Sequence, residues 1–186
     1  NNEISTTYNQ TSASEYGEGI DVNVHDADYS YFYIYDNYVK GFREEGIDAN
    51  AKFQIIDSNY IYLEPDIRGT NGIMCHANVN ATCVITNNIL DNVGLSSTDA
   101  IDLGTKSEYS VVDGNIVIGT DGLAEGVQVQ ASNGGHSITG NVFKRLSVGI
   151  NNDLATGINI STVGNIYTNV TTYITNVNQG SNRVYI

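Results

Sequence analysis

ITNNILDN, running from Ile85 to Asn92, is a phrase that the chain repeats. A leading residue, usually β-branched, is followed by two more, an asparagine and an apolar pair. The pattern recurs as IYDNYV from Ile34, IDSNYI from Ile56, VDGNIV from Val112, ITGNVF from Ile138 and TVGNIY from Thr162. Six asparagines fall into register: Asn37, Asn59, Asn88, Asn115, Asn141 and Asn165. Their spacings of 22, 29, 27, 26 and 24 residues vary while the phrase survives, as happens when one structural unit carries loops of changing length.

A second phrase interleaves with the first, a small residue before an aliphatic one: Gly19-Ile20, Gly46-Ile47, Gly72-Ile73, Ala100-Ile101, Gly126-Val127, Gly149-Ile150 and a weaker Tyr173-Ile174. One repeat therefore reads as strand, asparagine turn, short strand, loop, Gly-Ile strand and second loop, with β-branched runs split by Gly, Asn and Asp. No stretch shows helical periodicity.

Short strands at this repeat length predict an all-β solenoid, a coil of three strands that bonds in parallel to the next coil about 4.8 Å away. Asparagine tolerates the left-handed backbone of a tight turn, and its amide can bond to the amides above and below, so the six asparagines form an internal ladder. With these residues the chain resembles the right-handed parallel β-helix of the pectate-lyase-like superfamily, from about Gly19 to Ile186. Counting the phrases gives about seven coils. The resemblance leaves function open, because that superfamily holds lyases, hydrolases, phage tailspikes and non-catalytic fibres. Residues 1–18 read as an N-terminal arm or partial first coil and 19–186 as one β-helix domain, with both ends reading as open edges.

Eight basic against 21 acidic residues give a formal charge of −13, which argues against a nucleic-acid partner held through phosphates. An anionic polysaccharide would also be repelled unless a cation mediated the contact. No apolar run is long enough to span a membrane. Scarce lysine and 13 tyrosines suit an extracellular or virion-surface protein. Cys75 and Cys83 both fall on inward positions; they read as two buried core thiols, with a bridge closing the intervening turn as the alternative.

Tyr29 to Tyr38, YSYFYIYDNY, has the most unusual local composition. With Phe32 and Ile34 inward, Tyr31, Tyr33 and Tyr35 face out, followed on later coils by Phe53, Ile55, Val84 and Val111. That apolar stripe is either covered by the arm or a loop, or is a homo-oligomer interface, in a trimer as tailspikes bury such faces or in an end-to-end assembly.

The sheet that starts at each Gly-Ile is polar on its outer side. Coil by coil it presents Asp21 and Asn23, Asp48 and Asn50, Met74 and His76, Asp102 and Gly104, Gln128 and Gln130, and Asn151 and Asp153, with Glu18, Glu45, Asn71, Asp99 and Glu125 at its border. In the resembled superfamily, substrates lie along this sheet. STDAID, Ser97 to Asp102, is similar to the Asn-Thr-Asp-Gly-Ile-Asp phrase of polygalacturonases, and Asp99 matches by position, but the later Asp pair, Gly-His-Gly and Arg-Ile-Lys of that family are missing. Asp99, Asp102 and Glu125 form the best acid–base cluster, since carboxyls on adjacent coils approach the about 5 Å of a retaining glycosidase pair. The alternative for each acid is a solvated strand end. His76 is the best histidine for proton transfer, with His25 and His136 structural. Asp48, Asn50, Arg68, Gln128 and Gln130 complete the expected substrate contacts. No cofactor is required; Glu45 and Asp48 are the pair that would hold calcium. Two functions follow: recognition, and cleavage, of a surface polysaccharide, or a non-catalytic module of a spike or filament. The absence of tryptophan weighs against the first.

Overall fold

The computed structural model describes residues 2–5, 17–23, 31–63, 71–76, 80–93, 99–120, 123–130, 134–153, 159–175 and 183–185. The chain opens with β1 (Asn2–Ser5) and β2 (Ile20–Asn23). Successive turns follow: β3 (Tyr31–Tyr35), β4 (Asn37–Lys40) and β5 (Glu45–Asn50); β6 (Phe53–Asp57), β7 (Tyr60–Tyr62) and β8 (Asn71–His76); β9 (Thr82–Thr86), β10 (Ile89–Val93) and β11 (Asp99–Leu103). Next come β12 (Val111–Asp113), β13 (Ile116–Gly119) and β14 (Glu125–Val129), then β15 (Gly135–Thr139) and the long β16 (Val142–Asn152). The described chain ends with β17 (Asn159–Ser161), β18 (Ile166–Ile174) and β19 (Arg183–Tyr185).

Every strand pairing among the described residues is parallel and joins a strand to its equivalent one turn away, which makes the fold a parallel β-solenoid. It has about five turns, fewer than the seven expected from counting phrases. Seven strands, β3, β6, β9, β12, β15, β17 and β19, form one face. The strands after the ladder and the Gly-Ile strands form two more. These two count as a single twelve-stranded sheet because β16 passes through the corner between them without a break.

The core is a set of aliphatic columns. Ile34, Ile56, Ile85, Val112 and Ile138 stack on the first face. Val39, Ile61, Leu90, Val117 and Phe143 stack on the second, and Ile47, Ile73, Ile101, Val127 and Ile150 on the third. These residues are buried, and removing their apolar area from water at about 25 cal/mol per Å² is the main stabilising term. The small residue before each of the third-face aliphatics has a steric reason: a Cβ on Gly126 would lie 2.4 Å from the Gly149 carbonyl oxygen and 2.6 Å from the Phe143 ring.

The asparagine ladder is present. Each asparagine from Asn37 to Asn141 donates through Nδ2, at 3.0 to 3.1 Å, to the Oδ1 of the asparagine one turn later, and that same oxygen accepts the donor's own backbone N–H. From Asn59 onward the amide also bonds a carbonyl of the first-face strand one turn earlier, as Asn115 does to Ile85 at 2.9 Å. The left-handed backbone, however, belongs to the residue before each ladder asparagine and not to the asparagine itself. Asp36, Ser58, Asn87, Gly114, Gly140 and Gly164 all have φ between 54° and 76°. One residue turns the corner and the next satisfies it.

Cys75 and Cys83 are joined in a disulfide, which overturns the favoured reading of two free thiols. Cys75 is an inward residue of the third face and Cys83 of the first, and their Cα atoms lie 6.5 Å apart, within bridging range. Closing so short a loop removes unfolded-state entropy equivalent to about 2.5 kcal/mol.

Candidate functional site

The register places the third face's inner columns, Ile47 with Ala49 and Ile101 with Leu103, against the core. Alternation then turns Asp48 and Asp102 to the outside. They align as expected: Asp21 beside Asp48, Asp48 beside Met74, Met74 beside Asp102, Asp102 beside Gln128 and Gln128 beside Asn151. Asn50 lies beside His76, and Asp99 beside both Asn71 and Glu125.

What alternation does not show is that this outer side is covered. Asp48, Asn50, Asp99 and Asp102 are buried, Asp102 to 4% exposure, so β5 and β11 are enclosed on both faces. Enclosure penalises the charged carboxylate. Burial, with Glu125 and Asp102 nearby and a hydrogen bond to Glu125, pushes Asp99 up to about 8. Burial and the charges of Glu45 and Asp153 push Asp102 up to about 7, and burial with Glu45, Asp21, Glu18 and Glu44 does the same to Asp48.

The two ends of the face differ in how these groups are satisfied. Toward β16 the polar side chains answer one another: Asn151 Nδ2 donates to Glu125 Oε2 at 2.8 Å, Gln128 Nε2 to Asp153 Oδ2 at 3.4 Å, and Gln130 Nε2 to Gln128 Oε1. Toward β5 they do not. The Oδ1 atoms of Asp48 and Asp102 and the Nδ1 of His76 are buried without a hydrogen bond. Asp48 Oδ1 lies 3.5 Å from His76 Nδ1, an ion pair when the imidazole is protonated. Burial lowers the His76 pKa, and Asp21 opposes that shift.

The structure thus brings Asp99, Asp102 and Glu125 together and aligns Gln128 and Gln130 beside them. Glu45, on the same strand as Asp48, is near enough for its charge to push the Asp48 carboxyl up. Among the described residues the carboxylates that converge are Glu18, Glu44 and Glu45, each offering an oxygen within 4.8 Å of the others. Three carboxylate oxygens suit calcium. Burial raises the pKa of both Glu18 and Glu44, with further upward pushes from Asp21 and Glu44 on the former and from Glu45 on the latter. Arg68 and His25 lie outside the described residues. His136 is an inward, buried residue whose Nδ1 accepts the Ser110 N–H at 3.3 Å; burial depresses its pKa to about 4.

On the first face Tyr31, Tyr33 and Tyr35 are exposed, Tyr31 to 74%, and Tyr33 and Tyr35 stack with ring centroids 4.5 Å apart. Phe53 and Ile55 continue the row on the next turn, half-buried. A second apolar row went unread in the sequence. On the outer side of the second face, Tyr38, Tyr60, Ile89, Ile116, Val142 and Ile166 lie in register, with Ile116 and Ile166 exposed. The signal was the first member of the apolar pair after each ladder asparagine, which alternation sends outward while the second member goes to the core.

The chain matches no known family model, no curated protein and no solved structure.

Proposed function

We propose that this β-solenoid, right-handed and of the pectate-lyase-like kind, recognises and cleaves a surface polysaccharide along the outer side of the third face. The observation that supports the reading most is the row of enclosed carboxyls there. Asp48, Asp99 and Asp102 serve no column of the core, cost stability at neutral pH, and sit where a fold of this kind has no structural need for acids. A carboxyl kept protonated near pH 7 can donate a proton to a leaving sugar oxygen. Asp99 and Glu125 are hydrogen-bonded, hence closer than the about 5 Å of a pair that straddles a glycosidic bond, so they act as one proton donor and not as nucleophile plus acid. Gln128 and Gln130 offer amides to sugar hydroxyls, and Glu18, Glu44 and Glu45 would take a calcium ion at the border. The disulfide fits an oxidising compartment, hence an extracellular or virion-surface location. The test is a panel of capsular and O-antigen polysaccharides assayed for new reducing or unsaturated ends. Wild type is expected to release them, and Asp99→Asn and Asp102→Asn to lose release while keeping the fold; equal turnover in both variants overturns the reading.

The exposed tyrosines support a second reading, a non-catalytic spike or filament module. The two apolar rows flank the ladder corner, one on each adjoining face, which is the pair of patches a heterologous, ring-closing contact between copies requires. Light scattering of the purified chain tests it: a trimer or filament that Tyr33→Asp dissolves supports assembly, whereas an unchanged monomer removes it.

A further inference from the structure

We infer that Asp48 and His76 form a proton-transfer dyad on the enclosed face, with Asp48 as the positioning residue and Nε2 of His76 as the atom that exchanges the proton. The inference rests on the glycan-cleaving reading above and moves Asp48 from substrate contact to support. The geometry carries it. His76 Nδ1 is buried with no hydrogen-bond partner, and Asp48 Oδ1, itself buried and equally unsatisfied, lies 3.5 Å from it across the strands. The His76 side chain nonetheless keeps 30% of its exposure although its Nδ1 is buried, so other atoms of the ring are the ones that meet solvent. An imidazole whose Nδ1 faces a carboxylate across the strands is arranged to take a proton at Nε2. Gly104 maintains the arrangement from the next turn, since a Cβ there would lie 3.0 Å from the His76 Cβ.

The charged groups facing the pair are Asp21 from β2, Glu18 and Glu44 from the turns before β2 and β5, and Glu45 from β5. All are acids and, with no cation on Glu18, Glu44 and Glu45, favour an imidazolium once it forms. Asp102, on β11, is one strand over and two residues back, a backbone separation of about 8 Å. The step balances as follows. Water oxygen bonds to the anomeric carbon as its proton passes to His76 Nε2; the glycosidic C–O bond breaks, and the departing oxygen takes the proton of the Asp102 carboxylic acid. The imidazolium then returns its proton to the Asp102 carboxylate through solvent.

Two measurements test the dyad without any substrate. Long-range nitrogen–proton NMR at pH 8 is expected to show His76 as the Nδ1–H tautomer in wild type, shifting toward Nε2–H in Asp48→Asn. Diethyl pyrocarbonate with mass spectrometry is expected to modify His76 and spare the buried His136. An Nε2–H tautomer in wild type, or one unmoved in Asp48→Asn, overturns the dyad; the wild-type spectrum alone decides this if the variant fails to fold. Against a polysaccharide from the panel that wild type cleaves, His76→Gln is expected to lower kcat by about 10²- to 10⁴-fold and Asp48→Asn to lower it less while moving the alkaline or acidic limb of the pH profile. Unchanged kcat in His76→Gln overturns the inference and leaves the glycan reading standing. A wild type that cleaves nothing on the panel overturns both, whatever the tautomer.

Discussion

The ladder corner and the acidic face are both rows of enclosed polar side chains repeating at the coil spacing, and they could hardly be treated more differently. At the corner, Asn115 is wholly buried and its amide makes bonds to Ile85, Asp113 and Asn141 while its oxygen accepts two from Asn88. On the acidic face, Asp102 is nearly as buried and its Oδ1 accepts none. The contrast extends to identical residue types. Asp57, on the first face beside the corner, takes hydrogen bonds from Thr86, Asn87 and Ser58, which hold its pKa below the ordinary value against the upward push of burial, whereas enclosure drives Asp102 up to about 7. Buried polar groups are normally satisfied. The fold satisfies the ladder row and leaves the Oδ1 atoms of Asp48 and Asp102 on the other unmet.

Breaking the ladder should have the largest effect. Asn115→Leu removes a donor and an acceptor together and strands the Asn88 backbone N–H, the Asn88 amide and the Ile85 carbonyl, so a loss of about 3 kcal/mol or more is expected in urea denaturation. Asn37→Leu, at the half-buried end of the ladder, is expected to cost about 1 kcal/mol. Equal costs at the two positions would mean that burial of the ladder does not set its worth. Next in size, reducing the Cys75–Cys83 bridge, or replacing both cysteines by alanine, should lower stability by about 2 to 3 kcal/mol, read from the same denaturation midpoints with and without reductant.

The acidic face should respond in the opposite direction. A carboxyl with a raised folded pKa contributes stability that is full below its unfolded value of 3.8 and is lost as pH rises through the folded value, about 7 for Asp48 and Asp102 and about 8 for Asp99. His136, depressed to about 4, works the other way, losing stability as pH falls from 6.5, but it is one group against three. Thermal unfolding is therefore expected at a higher temperature at pH 5 than at pH 8. Asp102→Asn should stabilise by about 1 to 2 kcal/mol at pH 8 and leave pH 4 unchanged. A variant less stable than wild type at pH 8 would show that the carboxylate is satisfied after all. The smallest effect on stability is expected on the exposed row. Tyr33→Asp should stay within about 0.5 kcal/mol of wild type, changing only the mass in solution if that row is an interface.

Much of this was legible because a solenoid writes its fold locally and repeats it. A phrase such as VDGNIV names, within six residues, an inward aliphatic, the turn and the ladder asparagine, and the recurrence of the phrase sets the register between turns. Alternation then settles which way each strand residue points, which is why the columns of Asp48, Asp102 and Gln128 and the tyrosine row were read correctly. The identity of the left-handed residue was misread because asparagine is tolerant of that backbone and occupied the conserved-looking place, while Asp36, Ser58 and Gly114 share no chemistry beyond being small or polar.

The sequence by itself therefore determined the repeat, the ladder, the columns and the direction of each side chain, all of which depend on spacing along the chain. The tertiary structure alone decided that Cys75 meets Cys83, that the outer side of β5 and β11 is enclosed, and that Asp48 Oδ1 comes within 3.5 Å of His76 Nδ1. Those facts depend on what lies above a face and on distances between side chains of different turns. Periodicity carries no information about either, because it specifies direction and not surroundings.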